Sequence, residues 1–394
     1  MSTYIGIGFS KDLDTLKAAQ EAAEQAKFNL RCEHIDLAIV LNTIHYNPAD
    51  FVPAMFGHLQ KTKVVGSSTA AIMLSDRIET RGIAVLAIYS EEIRFETGAI
   101  DHMNLRDLQA AGAELANSCL SDYGKAHRKL FFFFADGLVQ ELSRCITGIT
   151  QTFENAFPII GAGSSDDFHF KKTYQYYNNT VLSSGACGIL FGGRVQVGMS
   201  CRHGWRPLGK PRMIDESEGN MIRSINGKPA ARIYQEYFDS ESETLKASSL
   251  AHLNTRYPLG IPAGWRREYL LRNVIKTLDD DSIMLQDTVP QGQEIHLMIG
   301  NKESCLRAAE EAAQDVKAQL QHASPKLILI FESLARYRIL GRSAAAEIQR
   351  VREILNPSAL FLGMYSFGEI YTYSSPTGPE TLLQNESMII LAIY

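Results

Sequence analysis

Hydroxyls, glycines and adjacent carboxylates are concentrated at residues 161–170, "GAGSSDDFHF", directly after the apolar run "AFPII". Glycine lets a backbone turn or approach a partner closely, and neighbouring aspartates are costly to bury without partners. The stretch fits a ligand cradle built from Gly163, Ser164, Ser165 and Asp166. The alternatives are a solvated loop whose aspartates bond nearby N–H groups, or part of a metal site with Asp167 and His169. A second concentration is "CRHGWRPLG" (201–209), where His203 is titratable, Trp205 offers an aromatic face and Arg206 can hold a carboxylate bidentately. The alternative there is a turn at a domain junction, with Trp205 in the core. "FESLAR" (331–336) and "GMYSFGEI" (363–370) place Glu332, Arg336, Tyr365 and Glu369 at neighbouring strand ends, where Arg336 and Glu369 form either a ligand site or an internal ion pair. An enzyme would draw its acid–base groups from Asp166, Asp167 and His203.

The motifs that fix a chemistry outright are missing. There is no G-x-x-x-x-G-K-[ST] phosphate loop, no complete G-x-G-x-x-G, no H-E-x-x-H and no G-x-S-x-G nucleophile elbow. The glycines instead recur at one place in a larger pattern. "KDLDTLKAAQEAAEQAKFNL" (11–30) has helical periodicity and leads to the buried strand "DLAIVLN" (36–42), a second helix near 48–60, then "KVVGSSTAAI" (63–72) and "GIAVLAIYS" (82–90). The order returns from "LRDLQAAGAELANSC" (105–119) through "KLFFFFADG" (129–137) and "FPIIGAGSSDD" (157–167) to "CGILFGG" (187–193). It returns again from "KESCLRAAEEAAQDVKAQLQ" (302–321) through "KLILIFES" (326–333) and "LFLGMYSFGEI" (360–370) to "MIILAIY" (388–394). Three matches in order predict a duplicated β-α-β-β unit. Gly66, Gly161 and Gly363 then sit at equivalent places, near strand ends where open α/β sheets bind ligands.

Between the second and third copies the texture changes to short strands, among them "RVQVGMSCRHGW", "NMIRSING", "SIMLQDTV" and "EIHLMIG", with a helix after "GKPAARIYQEYF". The expectation is a mixed α/β protein of two packed domains, 1–210 and 211–394, the first holding two copies of the unit and the second the third copy. At 394 residues the chain exceeds one ordinary core, and 45% hydrophobic with 21% charged residues is a globular composition. A net charge of −5 argues against nucleic acid or anionic membrane as a partner. No apolar run reaches the roughly 18 residues of a membrane span, and the N-terminus does not read as a secretory signal. Six scattered cysteines without C-x-x-C point to reduced thiols in a cytoplasm.

"GAGSSDDFHF", "YNNTV", "HGWRPLG" and "INGKPAARIYQEYF" resemble the N-terminal part of the FIST family (F-box and intracellular signal transduction proteins). "VPQGQEIHLMIG", "ILIFESLAR", "GMYSFGEI" and "LQNES" are similar to its C-terminal part. The resemblance runs over roughly 30–390 and implies a non-catalytic, intracellular sensory module for a small ligand such as an amino-acid-like metabolite. Some stand-alone bacterial members are haem proteins that sense nitric oxide and regulate a partner histidine kinase. Haem here would be held non-covalently, since no C-x-x-C-H occurs, with His203 and His169 as candidate axial ligands. No kinase, receiver, cyclase or F-box segment is visible, so output passes to another protein. Where the family often carries cysteine in "GCS" and "FSC", this chain has Ser67 and Ser333.

Overall fold

The computed structural model describes residues 3–59, 61–120, 128–237, 256–262, 264–265, 268–321 and 323–394. The repeat is present three times, each copy one strand longer at its start than its sequence pattern indicates. The first comprises β1 (Thr3–Ser10), α1 (Thr15–Leu30), β2 (Leu37–Thr43), α2 (Pro48–His58), β3 (Lys63–Thr69), the hairpin β4 (Ile72–Leu74) and β5 (Ile78–Glu79), and β6 (Ile83–Ser90). The second is β7 (Ile93–Ile100), α3 (Leu108–Ser118), β8 (Arg128–Asp136), α4 (Leu142–Thr152), β9 (Ile159–Ser164), β10 (Gln175–Tyr177), β11 (Thr180–Leu182) and β12 (Ala186–Gly193). The third opens with β13 (Val197–Arg202) and is then interrupted by β14 (Arg206–Glu218), β15 (Met221–Ile225), β16 (Lys228–Pro229), α5 (Arg232–Gln235), β17 (Leu259–Ile261), β18 (Leu270–Arg272), β19 (Val274–Thr277), β20 (Ile283–Leu285) and β21 (Glu294–Ile299). It resumes with α6 (Lys302–Gln319), β22 (Leu327–Ser333), α7 (Leu334–Leu340), α8 (Ala344–Leu355), β23 (Leu360–Ser366), β24 (Glu369–Ser375), β25 (Gly378–Gln384) and β26 (Met388–Ile393).

Each copy nucleates a six-stranded sheet of identical order, and β2, β8 and β22 occupy equivalent positions in the three, as the repeat predicts. The sheets are not self-contained. The hairpin after the glycine-bearing strand crosses to a neighbour: β4 pairs with β23, β10 with β3 and β24 with β9. The three sheets therefore close a ring by exchanging hairpins in one direction. Their inner faces share one core, in which Phe132 of the second sheet stacks on Phe331 of the third at 4.7 Å between ring centroids.

Helices cover the outer faces. α1 presents a stripe of buried alanines, Ala18, Ala19, Ala22, Ala23 and Ala26. It lies so close to β1 that a Cβ at Gly6 or Gly8 would meet the carbonyl oxygens of Ala26 or Ala22 at 2.2 and 2.0 Å. α6 repeats the alanine stripe against β13. Each of these first helices is started by a side chain that accepts a backbone N–H, from Asp14, Asp107 or Asn301, a contact worth about 1 kcal/mol.

The interruption forms a fourth, eight-stranded sheet with its own core around Ile214, Ile225, Leu259 and Ile295. Its two ends meet, because Arg206 of β14 is the antiparallel partner of Ile299 of β21. The expected 210/211 boundary falls inside β14, and the segment after "GKPAARIYQEYF", where a helix is expected, lies outside the described residues. The six cysteines form no disulfide. Among the described residues no helix is long and apolar enough to cross a membrane.

Candidate functional site

The parallel strand pairs β2–β3, β8–β9 and β22–β23 end together near the axis of the ring. In register, Gly66 faces Val40, Gly161 faces Phe133 and Gly363 faces Ile330. A Cβ at these glycines would lie 2.4, 2.8 and 2.9 Å from the carbonyl oxygens of those same partners. The repeated glycine thus answers to the neighbouring strand. Gly163 is closed in the same way, by the Phe367 carbonyl at 2.8 Å and the Gly137 Cα at 3.0 Å. The hydroxyls beside these glycines tie the three sheets into a knot. Ser67 donates to Ser164 (2.8 Å), Ser68 to the Ser165 carbonyl (2.9 Å), and Ser165 and Thr69 both donate to the Tyr365 carbonyl (2.5 and 2.8 Å). All of these side chains are buried.

Asp166 is buried behind the knot. Its Oδ1 accepts the N–H of Phe170 at 2.9 Å, and its Oδ2 those of Lys171 and Lys172 at 2.7 and 3.3 Å. The carboxylate therefore shapes the loop that follows it. Asp167 lies farther out and pairs with His169 at 2.6 Å. In this loop Phe168 and Phe170 adopt left-handed backbone (φ 71° and 53°), a strained conformation for a bulky residue that persists only where its surroundings enforce it. Phe170 stacks on Phe367 at 4.6 Å and 18°, while Phe168 stacks on Tyr337 and lies beneath the Arg338 guanidinium.

Those phenylalanines wall a cavity of about 400 Å³, the size of small-molecule pockets. Three parts of the chain line it. The second unit supplies Gly137, Leu138, Phe168 and Phe170; the insertion supplies Asn273, Ile275 and Gln286; the third unit supplies Ser333, Ser366 and Phe367. None of the described lining residues is ionisable. Beneath the floor Ser366 donates to Glu369 Oε1 (2.6 Å), whose Oε2 accepts the N–H and hydroxyl of Ser387 (3.1 and 2.8 Å). Burial raises the Glu369 pKa to about 7 despite these donors. Ser333 donates to Glu386, a second buried carboxyl that desolvation pushes well above its usual range.

Arg336 is fully buried one turn into α7 and does not face the cavity. It pairs with Glu332 (3.1 Å) and Glu347 and donates to the carbonyls of His203 and Cys305. It clamps α7 to α6, α8 and the start of the insertion. Burial and the adjacent Glu347 raise the Glu332 pKa well above the ordinary carboxyl value. The buried Tyr365 hydroxyl has no hydrogen-bond partner among the described residues, and burial together with the nearby Glu332 and Glu347 raises its pKa. His203 is buried; its Nδ1 accepts the Trp205 N–H at 2.8 Å and its Nε2 faces Glu268 at 3.7 Å. Trp205 packs with Leu271, Met298 and Leu340, and Arg206 lies exposed on β14.

The fold thus brings Gly163, Ser164, Ser165 and Tyr365 together in the knot, and sets Glu369 under the cavity. It spreads Asp166, His203, Trp205, Arg206 and Arg336 over separate surroundings. None of the site residues expected from the sequence is among the described lining residues; those it did not point to include Phe168, Phe170, Ser366 and Phe367 and, from the insertion, Asn273, Ile275 and Gln286. Their one visible signal is two phenylalanines inside the polar segment "DDFHF".

Comparison with known proteins gives this geometry its context. The model of the FIST N domain matches residues 36–228 and that of the FIST C domain residues 230–372. An uncharacterized protein of Mycobacterium bovis is 22% identical over 377 residues, 93% of each chain. One of Methanocaldococcus jannaschii is 27% identical over 200 residues, 48% of this chain and 37% of that protein's length. The solved structure of the cyanuric acid hydrolase from A. caulinodans aligns over 100% of this chain and 99% of its own at 7% identity, with a TM-score of 0.36, too weak a likeness to carry an argument. With both family domains matched in order over most of its length, the chain belongs to the FIST family, whose domains serve as sensory modules in signal transduction.

Proposed function

We propose that the protein senses a small molecule held in the cavity between Phe168, Phe170 and the strand-end serines Ser333 and Ser366. The observation that carries this reading is that the cavity wall is shared by three separate parts of the chain. A ligand there touches the insertion and two sheets of the ring at once. Differential affinity for two placements of the insertion converts occupancy into a change of surface, which a partner signalling protein, such as a histidine kinase, reads.

An amino-acid-like ligand, suggested by the family, would find no cation among the described lining residues, since Arg336 is fully buried among its own partners and Arg338, over the Phe168 ring, is not part of that lining. Burying a charge without a partner is costly, so the lining favours an uncharged ligand. Haem does not fit these residues. An iron porphyrin needs an axial ligand, yet no histidine, cysteine, methionine or tyrosine is among the described lining residues. His203 is buried with Nδ1 already accepting a hydrogen bond, and the exposed His169 is paired with Asp167. The enzymatic alternative loses its geometry as well, since Asp166, Asp167 and His203 are engaged in three different places.

Native mass spectrometry with an absorption spectrum on freshly purified protein tests the reading. A co-purifying mass of a few hundred daltons, lost in a Leu138→Trp variant that still melts cooperatively and adds bulk to the cavity wall, supports it. A bound molecule retained in that variant sinks it.

A further inference from the structure

We infer that the cavity takes a flat, uncharged heterocycle with lactam-type N–H and C=O groups, of the kind found in nucleobases. The inference rests on the cavity being the ligand site. Its first ground is electrostatic: the polar side chains in the wall are amides and hydroxyls, and the nearest carboxyls, Glu369 and Glu386, lie behind Ser366 and Ser333. A charged ligand group would shed its hydration against a wall whose described residues carry no ionisable side chain, the Arg338 guanidinium lying over Phe168 but outside that lining. Lactam groups, by contrast, are satisfied by neutral donors and acceptors.

The second ground is shape. Phe170 has one face on Phe367 but remains 47% exposed, so its other face is open. Ile275, 41% exposed, stands in the same wall. An aromatic ring held in left-handed backbone by the Asp166 carboxylate is an unusual device for gripping an aliphatic chain and an apt one for stacking a planar ring.

The third ground is hydrogen-bond polarity. The Ser366 hydroxyl directs its proton to Glu369 or the Glu332 carbonyl and keeps its lone pairs, and Asn273 carries a buried Oδ1 that has no hydrogen-bond partner among the described residues. These two atoms call for N–H groups on the ligand edge, while Gln140, whose Oε1 accepts from Asn220, adds an amide donor suited to a ligand carbonyl. The Gln286 amide is already committed, donating to the Phe367 carbonyl and accepting from Asn385.

The test is isothermal titration of the full chain with hypoxanthine, xanthine and uracil, alongside L-leucine, L-glutamate and adenosine monophosphate. At least one free base binds, Phe170→Ala weakens it at least tenfold, Phe170→Tyr retains it, and all variants melt as cooperative proteins. Binding of the amino acids in place of the bases overturns the inference and leaves small-ligand sensing standing. Bases that bind Phe170→Ala as well as the unaltered chain overturn both the inference and the cavity as the site. No binding by any probe overturns the inference alone, since the co-purifying mass tests the sensory reading independently.

Discussion

Asp166 turns both carboxylate oxygens onto three N–H groups of its own loop, although its neighbours in sequence made it look like a ligand contact. Hydrogen bonds to a buried charge each contribute about 1.5–3 kcal/mol. Asp166→Ala therefore lowers unfolding free energy in urea by about 2–4 kcal/mol, and Asp166→Asn by less because one acceptor remains. A loss below about 0.5 kcal/mol, the usual size for a surface change, would refute this assignment. Glu369 supplies a pH signature. Its folded pKa, near 7, exceeds the ordinary 4.5 because the carboxyl is buried. The folded state binds the extra proton, so this contribution to stability is complete below about pH 4.5 and is lost as pH rises through 7. Each tenfold gain in proton affinity is worth roughly 1.4 kcal/mol, so the full loss is about 3 kcal/mol. Urea midpoints at pH 5 and 8 should converge in Glu369→Gln relative to the parent protein; an unchanged difference would show that Glu369 does not titrate there. Glu332 and Glu386 are shifted in the same direction and leave a residual slope.

At the scale of elements, the glycine of the repeat admits the carbonyl of the adjacent parallel strand. The cost of adding a methyl group depends on what it meets. At Gly66 it meets the Val40 oxygen at 2.4 Å and the packed Tyr176 ring, whereas at Gly363 the nearest atoms include the Met73 sulfur, on a side chain that can move. Overpacking costs about 1–3 kcal/mol, so Gly66→Ala should fall near the top of that range and Gly363→Ala near the bottom, as read from thermal or urea unfolding. Equal losses would mean that the shared carbonyl clash alone decides. The elements were legible where their signal was local. The helices begun within 11–30, 105–119 and 302–321 and the apolar strands β2, β8 and β22 all follow from spacing and composition. The opening strands β1, β7 and β13 were not recognised as part of the repeat, because each is defined by pairing with a strand that closes its unit, β6, β12 or β26.

At the scale of the whole molecule, the ring and the insertion each have a core of their own and share a smaller one, where Leu271 and Met298 pack with Trp205 and Leu340. The insertion leaves and re-enters through paired strands. Arg206 and Ile299, being register partners, lie about 5 Å apart, so a two-residue Asn-Gly turn can join Trp205 to Gly300. Excision of 206–299 in this way should leave a cooperatively melting ring of three sheets with the cavity open on one side. Its expected phenotype is retained strand and helix content by circular dichroism with loss of the co-purifying ligand. Collapse of the melting transition would show that the ring depends on the insertion, for which the Gln384 contacts to Tyr269 and Leu271 would be the first suspects.

The sequence by itself determined the fold class, the threefold repeat, the equivalence of Gly66, Gly161 and Gly363 and the family, because each is written in local periodicity or in contiguous motifs. Tertiary structure alone decided which polar residues reach a cavity. Ser164, Ser165 and Asp166 stand beside Phe168 and Phe170 in the chain, yet the first three are buried while the two rings pack on Tyr337 and Phe367 of the third unit and wall the cavity. Arg336 and Glu369 looked like one site, but Arg336 is drawn off by Glu347 and by the His203 and Cys305 carbonyls, all distant in sequence. A buried charge takes whatever partners the packing places around it, and those partners are set by which strands cross between sheets.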